Sequence, residues 1–306
     1  MTRGIYLIAN RRSEKDCRNL IYSIRRCGCQ LPVRIIPFGG TPIRVDPEWQ
    51  DVRLVSQSEF PAEGLAFIDE LHRRIPQCPV GFLRRFLCWY GEFDEFLYSD
   101  NDIVALTNWG DLFDYLGQYE LVHADLEYTT KGMFNMRQPA RFEQLMGAGA
   151  LEVAVTAGHF LCRPKANHRG DLLAGLAWME QHRDVPFWHD QALLHVTLAI
   201  AKWPALNLCK PPHNWGCSHA GSYANSLDII RTIQAGNTPI SHLHFSGGVP
   251  SGTRPIEELL YSDRTPAQRK RELLRALLSE ATGVSSTRQF FKRAARGLKR
   301  RFRNSA

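Results

Sequence analysis

No stretch of the sequence approaches the ~20 consecutive apolar residues that a membrane-spanning helix needs, because its aliphatic runs are short and broken by Gly, Pro and polar clusters. A soluble chain without a membrane-spanning helix is therefore expected. The sequence also lacks any C-x-x-C pair. Its eight cysteines, Cys17, Cys27, Cys29, Cys78, Cys88, Cys162, Cys209 and Cys217, are scattered, which predicts reduced, mostly buried thiols with neither a zinc site nor a disulfide framework. The opening apolar run, Ile5 to Ala9, is too short for the hydrophobic segment of a secretory signal and meets Arg11-Arg12 at once. A cytoplasmic location is expected. Internal repeats and low-complexity linkers are absent too.

Acidic residues are absent beyond Glu280, and this decides how the net charge of +7 is read. Arg288, Lys292, Arg293, Arg296, Lys299, Arg300, Arg301 and Arg303 carry eight positive charges, so without them the remainder stands at −1. The basic character belongs to a tail, and no specific nucleic-acid partner is expected of the body. Within the tail Phe290, Phe291, Ala294, Leu298 and Phe302 share one helical stripe. That is the composition of an amphipathic helix lying on anionic lipid, which would place the protein peripherally on the inner membrane face. A solvated tail, or one touching nucleic acid nonspecifically, has the same charge.

What is present, in 306 residues with 44% hydrophobic content, is enough for a substantial core. Strand-like runs (Ile5–Ala9, Val33–Pro37, Val52–Val55, Phe96–Ser99) alternate with helix-like segments (Asp16–Arg26, Pro61–Arg74 and a buried stripe of Phe82, Leu83, Phe86, Leu87 and Tyr90 closed by Gly91). Leu121–Ala124, Leu151–Val155, His159–Cys162 and Ile240–Phe245 read as further strands, and Gly170–His182 and His189–Trp203 as helices. The pattern predicts an α/β fold with a mixed, mainly parallel, Rossmann-like central sheet flanked by helices, over residues 1–260, followed by the basic amphipathic helix within 261–306.

The most informative stretch is the strand that runs into Asp100-Asn101-Asp102. In extended backbone alternate side chains share a face, so Asp100 and Asp102 point together while Asn101 points elsewhere. Two close carboxylates repel unless a cation sits by them, and a hard divalent ion with open positions for phosphate oxygens suits the site. An acidic turn or a helix cap uses the same pattern. The aromatic strand before it and Ile103-Val104-Ala105-Leu106 after it are unlike a solvated turn.

At this point Phe93 to Val104 resembles the D-x-D strand of nucleotide-diphospho-sugar transferases with the glycosyltransferase A-type fold. The strand ending at Asn10-Arg11 resembles that family's first nucleotide-contacting loop, and Pro32 to Phe38 its second strand. Thr156-Ala157-Gly158-His159-Phe160 is similar to its N-x-G-f-f segment, His189-Asp190-Gln191 to its D-Q element, and His242 to Gly248 to its late H-x-x-G loop. The resemblance implies Mn²⁺ or Mg²⁺ on Asp100, Asp102 and His244. It implies a nucleotide-sugar donor, UDP-linked or GDP-linked, near Asn10, Arg11, Phe38, Arg84 (or Arg85), Asn101, Gly247 and Gly248, and Asp190 and Gln191 facing the sugar or the acceptor, a glycan or a lipid-linked molecule. Thr156 stands where the family has Asn, and the lysine usual after the late loop is replaced by Val249-Pro250-Ser251-Gly252.

Simpler roles are open to the same residues: His244 as a core histidine, Asp190 as a helix N-terminal carboxylate, Arg84 and Arg85 as solvated charges, Asn10 as a turn residue. Two other functions fit the motifs: a metal-dependent phosphohydrolase using the D-x-D aspartates, or a non-catalytic nucleotide- or sugar-binding protein at the membrane. A pyrophosphorylase is disfavoured, because Asn10-Arg11-Arg12-Ser13 is too poor in glycine for a G-x-G-T-R loop.

Overall fold

The first strand, β1 (Arg3–Ala9), sends Ile5, Leu7 and Ala9 to one side and Tyr6 and Ile8 to the other, and all five are buried. A strand apolar on both faces must lie inside a sheet that is covered on both faces. The computed structural model describes residues 1–126, 128–129, 132–133, 135–164, 167–220, 235–236 and 238–245. After β1 come α1 (Glu14–Arg26), β2 (Val33–Pro37), β3 (Val52–Leu54), α2 (Ala62–Arg74), α3 (Val80–Leu83), β4 (Glu95–Ser99), β5 (Ile103–Ala105) and β6 (Leu121–His123). The short hairpin strands β7 (Tyr128–Thr129) and β8 (Gly132–Met133) lead to α4 (Pro139–Met146), β9 (His159–Cys162), α5 (His168–Gln181), α6 (Asp190–Ala201), β10 (Ala205–Asn207) and β11 (His242–His244).

Seven strands form the main sheet in the order β10-β6-β9-β4-β1-β2-β3. Every neighbouring pair is parallel except those made by β9, which runs antiparallel to both β4 and β6. One face carries Phe67, Ile68 and Leu71 of α2 with Leu172 and Leu176 of α5 and Leu193 and Leu194 of α6. The other carries Leu20, Ile21 and Ile24 of α1 with Trp109, Leu112 and Phe113. Each such side chain, fully buried, contributes roughly 1.5–3 kcal/mol. The carboxyl ends of β1, β2, β4 and β6 share one edge, and because β9 is reversed its amino end, beside Gly158, joins them there. Open α/β sheets bind ligands beyond that edge.

Two sequence expectations need correction. Leu151–Val155 is not a strand: Gly147 and Gly149 adopt φ of 97° and 84°, and successive bonds from Ala150 to Gly147, Glu152 to Gly149 and Ala154 to Leu151 wind the segment into turns. The stripe from Phe82 to Tyr90 is also no regular α-helix. After α3 the chain tightens into a 3₁₀ helix over Arg84–Tyr90, in which residues three apart eclipse one another. Arg85, Phe86, Leu87, Cys88 and Trp89 are all buried there, with Leu83 before them, and Phe82 is 51% exposed. All eight cysteines are free, and among the described residues no helix is long and apolar enough to cross a membrane. The tail helix, the boundary near residue 260, and Gly247 and Gly248 lie outside the described residues.

Candidate metal centre

β4 delivers the chain into Asp100-Asn101-Asp102, and β5 carries it away antiparallel to β11 with His244 opposite Ile103. Phe245 donates its N–H to the Asp102 carbonyl at 2.8 Å, and Asp100 donates its own to the Gly158 carbonyl at 2.7 Å. The acidic turn is thus pinned by backbone on both sides, and its side chains diverge as strand geometry requires. Asp100, Asp102 and His244 bring one ligand atom each within 4.8 Å of one another. Asn101 turns the other way: Nδ2 donates to the Ile8 carbonyl and, at 3.3 Å, to Ser13 Oγ.

Through Asn101 the turn meets the first loop, which Asn10 shapes. Asn10 Oδ1 accepts from the Arg12 N–H at 2.9 Å, and the Asn10 N–H donates to Ser13 Oγ at 3.1 Å, a reciprocal capping box. Arg11 sends its guanidinium to Glu14 at 2.7 Å. Phe38 and Arg84 serve the end of β2: Arg84 Nη1 donates to the Pro37 carbonyl, and the Phe38 ring lies over Gly81, where a Cβ would come within 2.5 Å of it.

Behind Asp100 lies a buried cation. Arg85 is 4% exposed, with Nη2 at 3.5 Å from Asp100 Oδ1 and Nε at 2.9 Å from Asp190 Oδ2. Burial by itself lowers the Arg85 pKa, and the charges of Asp100 and Asp190 outweigh it, so the net shift is upward. The Tyr98 hydroxyl donates to Asp100 Oδ1 at 2.5 Å. Burial raises the Asp100 pKa and the neighbouring Asp102 adds to it, while Arg85 opposes. A divalent ion would relieve that residual repulsion.

The sequence-predicted pair Asp190 and Gln191 stands at the start of α6, whose cap is His189, Nδ1 accepting from the Ala192 N–H at 3.1 Å. Asp190 is buried against Arg85. Gln191 accepts from the Ala157 N–H at 3.1 Å and donates to Asn135 Oδ1 at 2.9 Å. Because Arg85 Nη1 also donates to the Ala157 carbonyl, both backbone groups of Ala157 are held, one by α6 and the other by the arginine that pairs with Asp190.

His244 lies between two further carboxylates, Nε2 at 3.4 Å from Asp102 Oδ1 and Nδ1 at 4.0 Å from Asp125 Oδ2. Burial pulls its pKa down, but the neighbouring carboxylates of Asp102 and Asp125 raise it to about 10. Burial pushes His123 to about 4, His159 to about 3 and His242 well below the ordinary value, which favours the uncharged form in all three. The His244 ring packs on bare backbone: a Cβ at Gly158 would lie 2.4 Å from its Cε1, so only glycine leaves it room.

Two carboxylates and one imidazole make an oxygen-rich donor set suited to Mn²⁺ or Mg²⁺, and among the described residues this is the group of three that lies close enough to share an ion. Sequence reasoning missed Asp125 and the inward role of Thr156. The signal was available for Asp125, which follows a parallel strand at the same edge as Asn10 and Asp100.

No protein-family model matches the sequence, and no curated protein sequence matches it. Solved structures do match in shape. The galactosyltransferase LgtC, crystallised with donor and acceptor sugar analogues, is 17% identical at a TM-score of 0.51 over 89% of this chain and 95% of its own. The bifunctional glycosyltransferase WbbM, in its apo structure, is 14% identical at 0.51 over 88% of this chain, which spans only 51% of that longer protein. Mouse xyloside xylosyltransferase 1, apo, is 12% identical at 0.50, covering 82% of this chain and 99% of its own. The architecture common to them is the glycosyltransferase A-type fold, and this chain has it.

Proposed function

From the glycosyltransferase A-type fold as premise, we propose that the chain is a metal-dependent glycosyltransferase carrying a sugar from a nucleoside diphosphate to a glycan or lipid-linked acceptor. The observation that supports this most is the convergence of Asp100, Asp102 and His244 at the carboxyl edge of the sheet. These three would hold Mn²⁺ or Mg²⁺, and the ion, when bound, supplies positive charge where the diphosphate becomes more negative on leaving. In the transfer the bond from the anomeric carbon to the diphosphate oxygen breaks with its electron pair on that oxygen. A bond from an acceptor oxygen to the same carbon forms, and the acceptor hydroxyl loses its proton.

The chain's own residues orient the parts. Arg85 fixes Asp100 and Asp190 as a rigid floor, Gln191 holds the Ala157 backbone, and Asn10, Asn101 and Phe38 frame the nucleotide end. UDP is the first donor base to test and GDP the second. The donor and acceptor analogues in the LgtC structure support the same two kinds of partner here. The basic, phenylalanine-bearing segment beyond residue 280 would hold the enzyme at an anionic membrane. The phosphohydrolase alternative is not favoured, because the solved structures that share this fold are glycosyltransferases.

Calorimetric titration of UDP with and without Mn²⁺, repeated with GDP and with Asp102→Ala, tests the reading. Metal-dependent binding lost in the variant is expected. Failure of both nucleotides to bind, with or without metal, would overturn it.

A further inference from the structure

His244 can serve a metal only through a nitrogen that carries no proton, and an imidazole has two nitrogens to choose between. The surroundings of the ring distinguish them. Nε2 faces the acidic turn, 3.4 Å from Asp102 Oδ1, while Nδ1 faces away from it toward Asp125 Oδ2 at 4.0 Å. Asp125 is 1% exposed, so water does not compete for its carboxylate. Thr156 donates its hydroxyl to that same Oδ2 at 3.0 Å, and Asn207 Nδ2 donates to the Asp125 carbonyl at 2.9 Å, so side chain and backbone are both anchored. Thr156 belongs to the segment that packs against His244 through Gly158. The segment that presses on the ring therefore also holds the carboxylate behind it.

We propose that Asp125, anchored by Thr156, is a positioning residue that keeps the His244 proton on Nδ1 and so presents the Nε2 lone pair to the metal. The inference rests on reading Asp100, Asp102 and His244 as a metal centre. At 4.0 Å the contact is an ion-pair distance rather than a hydrogen bond, and it places the Asp125 carboxylate on the Nδ1 side of the ring. Oδ2 has a second lone pair to accept the Nδ1–H alongside the Thr156 hydroxyl. Partners of this kind behind a ligating histidine typically change metal affinity by about 10–100-fold when removed.

The test uses the full chain and measures Mn²⁺ affinity by electron paramagnetic resonance, with the His244 tautomer read by ¹⁵N NMR in Mg²⁺. Asp125→Ala is expected to weaken Mn²⁺ by about 10–100-fold and to lose the single Nδ1–H tautomer. Asp125→Asn, whose amide oxygen still accepts, is expected to recover most of both. Thr156→Val keeps the carboxylate and loses one hydrogen bond, for which about a 2–10-fold loss is expected. Should Asp125→Ala fail to melt cooperatively, Asp125→Asn and Thr156→Val decide: wild-type affinity and a mixed tautomer in both would overturn the inference. Wild-type Mn²⁺ affinity in a folded Asp125→Ala would overturn it too. A wild-type chain that binds no Mn²⁺ removes the metal-centre reading itself, an outcome distinct from the others.

Discussion

The two aspartates of the acidic turn are each backed by a basic side chain, and each of these by a second buried carboxylate. On the inner side Arg85 lies between Asp100 and Asp190; on the outer side His244 lies between Asp102 and Asp125. The plan is the same and the chemistry is opposite. A guanidinium keeps its proton at any accessible pH, so the inner trio is permanently charged and serves as scaffold. An imidazole gives its proton up, so the outer trio can exchange it for a metal ion. One side fixes the site and the other opens it to chemistry.

Four experiments break or sharpen this contrast, from the largest effect to the smallest. Asp190→Ala takes the nearer of two carboxylates from the buried Arg85, leaving Asp100 at 3.5 Å, and should cost about 3 kcal/mol of stability by urea unfolding; a cost below about 1 kcal/mol would deny the inner trio its scaffold role. Asp102→Ala should instead change stability by less than about 1 kcal/mol, since its side chain is 31% exposed. Its Mn²⁺ affinity should fall by at least about 100-fold, roughly 2.7 kcal/mol, because a ligand is lost rather than a supporting partner.

The third experiment is pH. His244 is raised to about 10 from an ordinary 6.5, so its ion pairs contribute fully below about pH 6.5 and that contribution fades as pH rises through about 10. A metal competes with the same proton. Mn²⁺ affinity should therefore climb with pH across that window, by up to about tenfold or 1.4 kcal/mol per unit; a flat calorimetric profile between about pH 6.5 and about pH 8.5 would remove His244 from the ligand set. The smallest effect is expected from Asn101→Ala, which frees the first loop from the turn and should cost about 0.5–1.5 kcal/mol in nucleotide affinity while leaving Mn²⁺ binding near wild type.

Much of this was legible in the sequence because strand-end geometry is local. The alternation of Asp100, Asn101 and Asp102 fixes which side chains converge, and the apolar run of β1 already requires a sheet covered on both faces. The segments at the edge were found in order, His244 included. Partnerships that span the fold were not legible. Nothing near Arg85 in sequence announces that it binds a carboxylate on α6, and Asp125 acquires its partner only when β11 folds back beside β5. The turns at 151–155 and the 3₁₀ winding over Arg84–Tyr90 were misread because apolar spacing over a few residues does not distinguish 3.0 from 3.6 residues per turn, or a strand from a chain of turns.

The pairing of β5 with β11 also sets a schedule for synthesis. Trp109 Nε1–H donates to the Ser241 carbonyl across 132 residues of sequence, and His244 arrives with that same strand. At about 5–20 residues per second, a ribosome that has made Trp109 needs roughly 7 to 26 s to reach this partner. During that interval the growing chain already holds the residues of β1 to β5 and both aspartates but not His244. Translation that stops early would release a sheet whose acidic turn lacks the strand that brings His244 beside it.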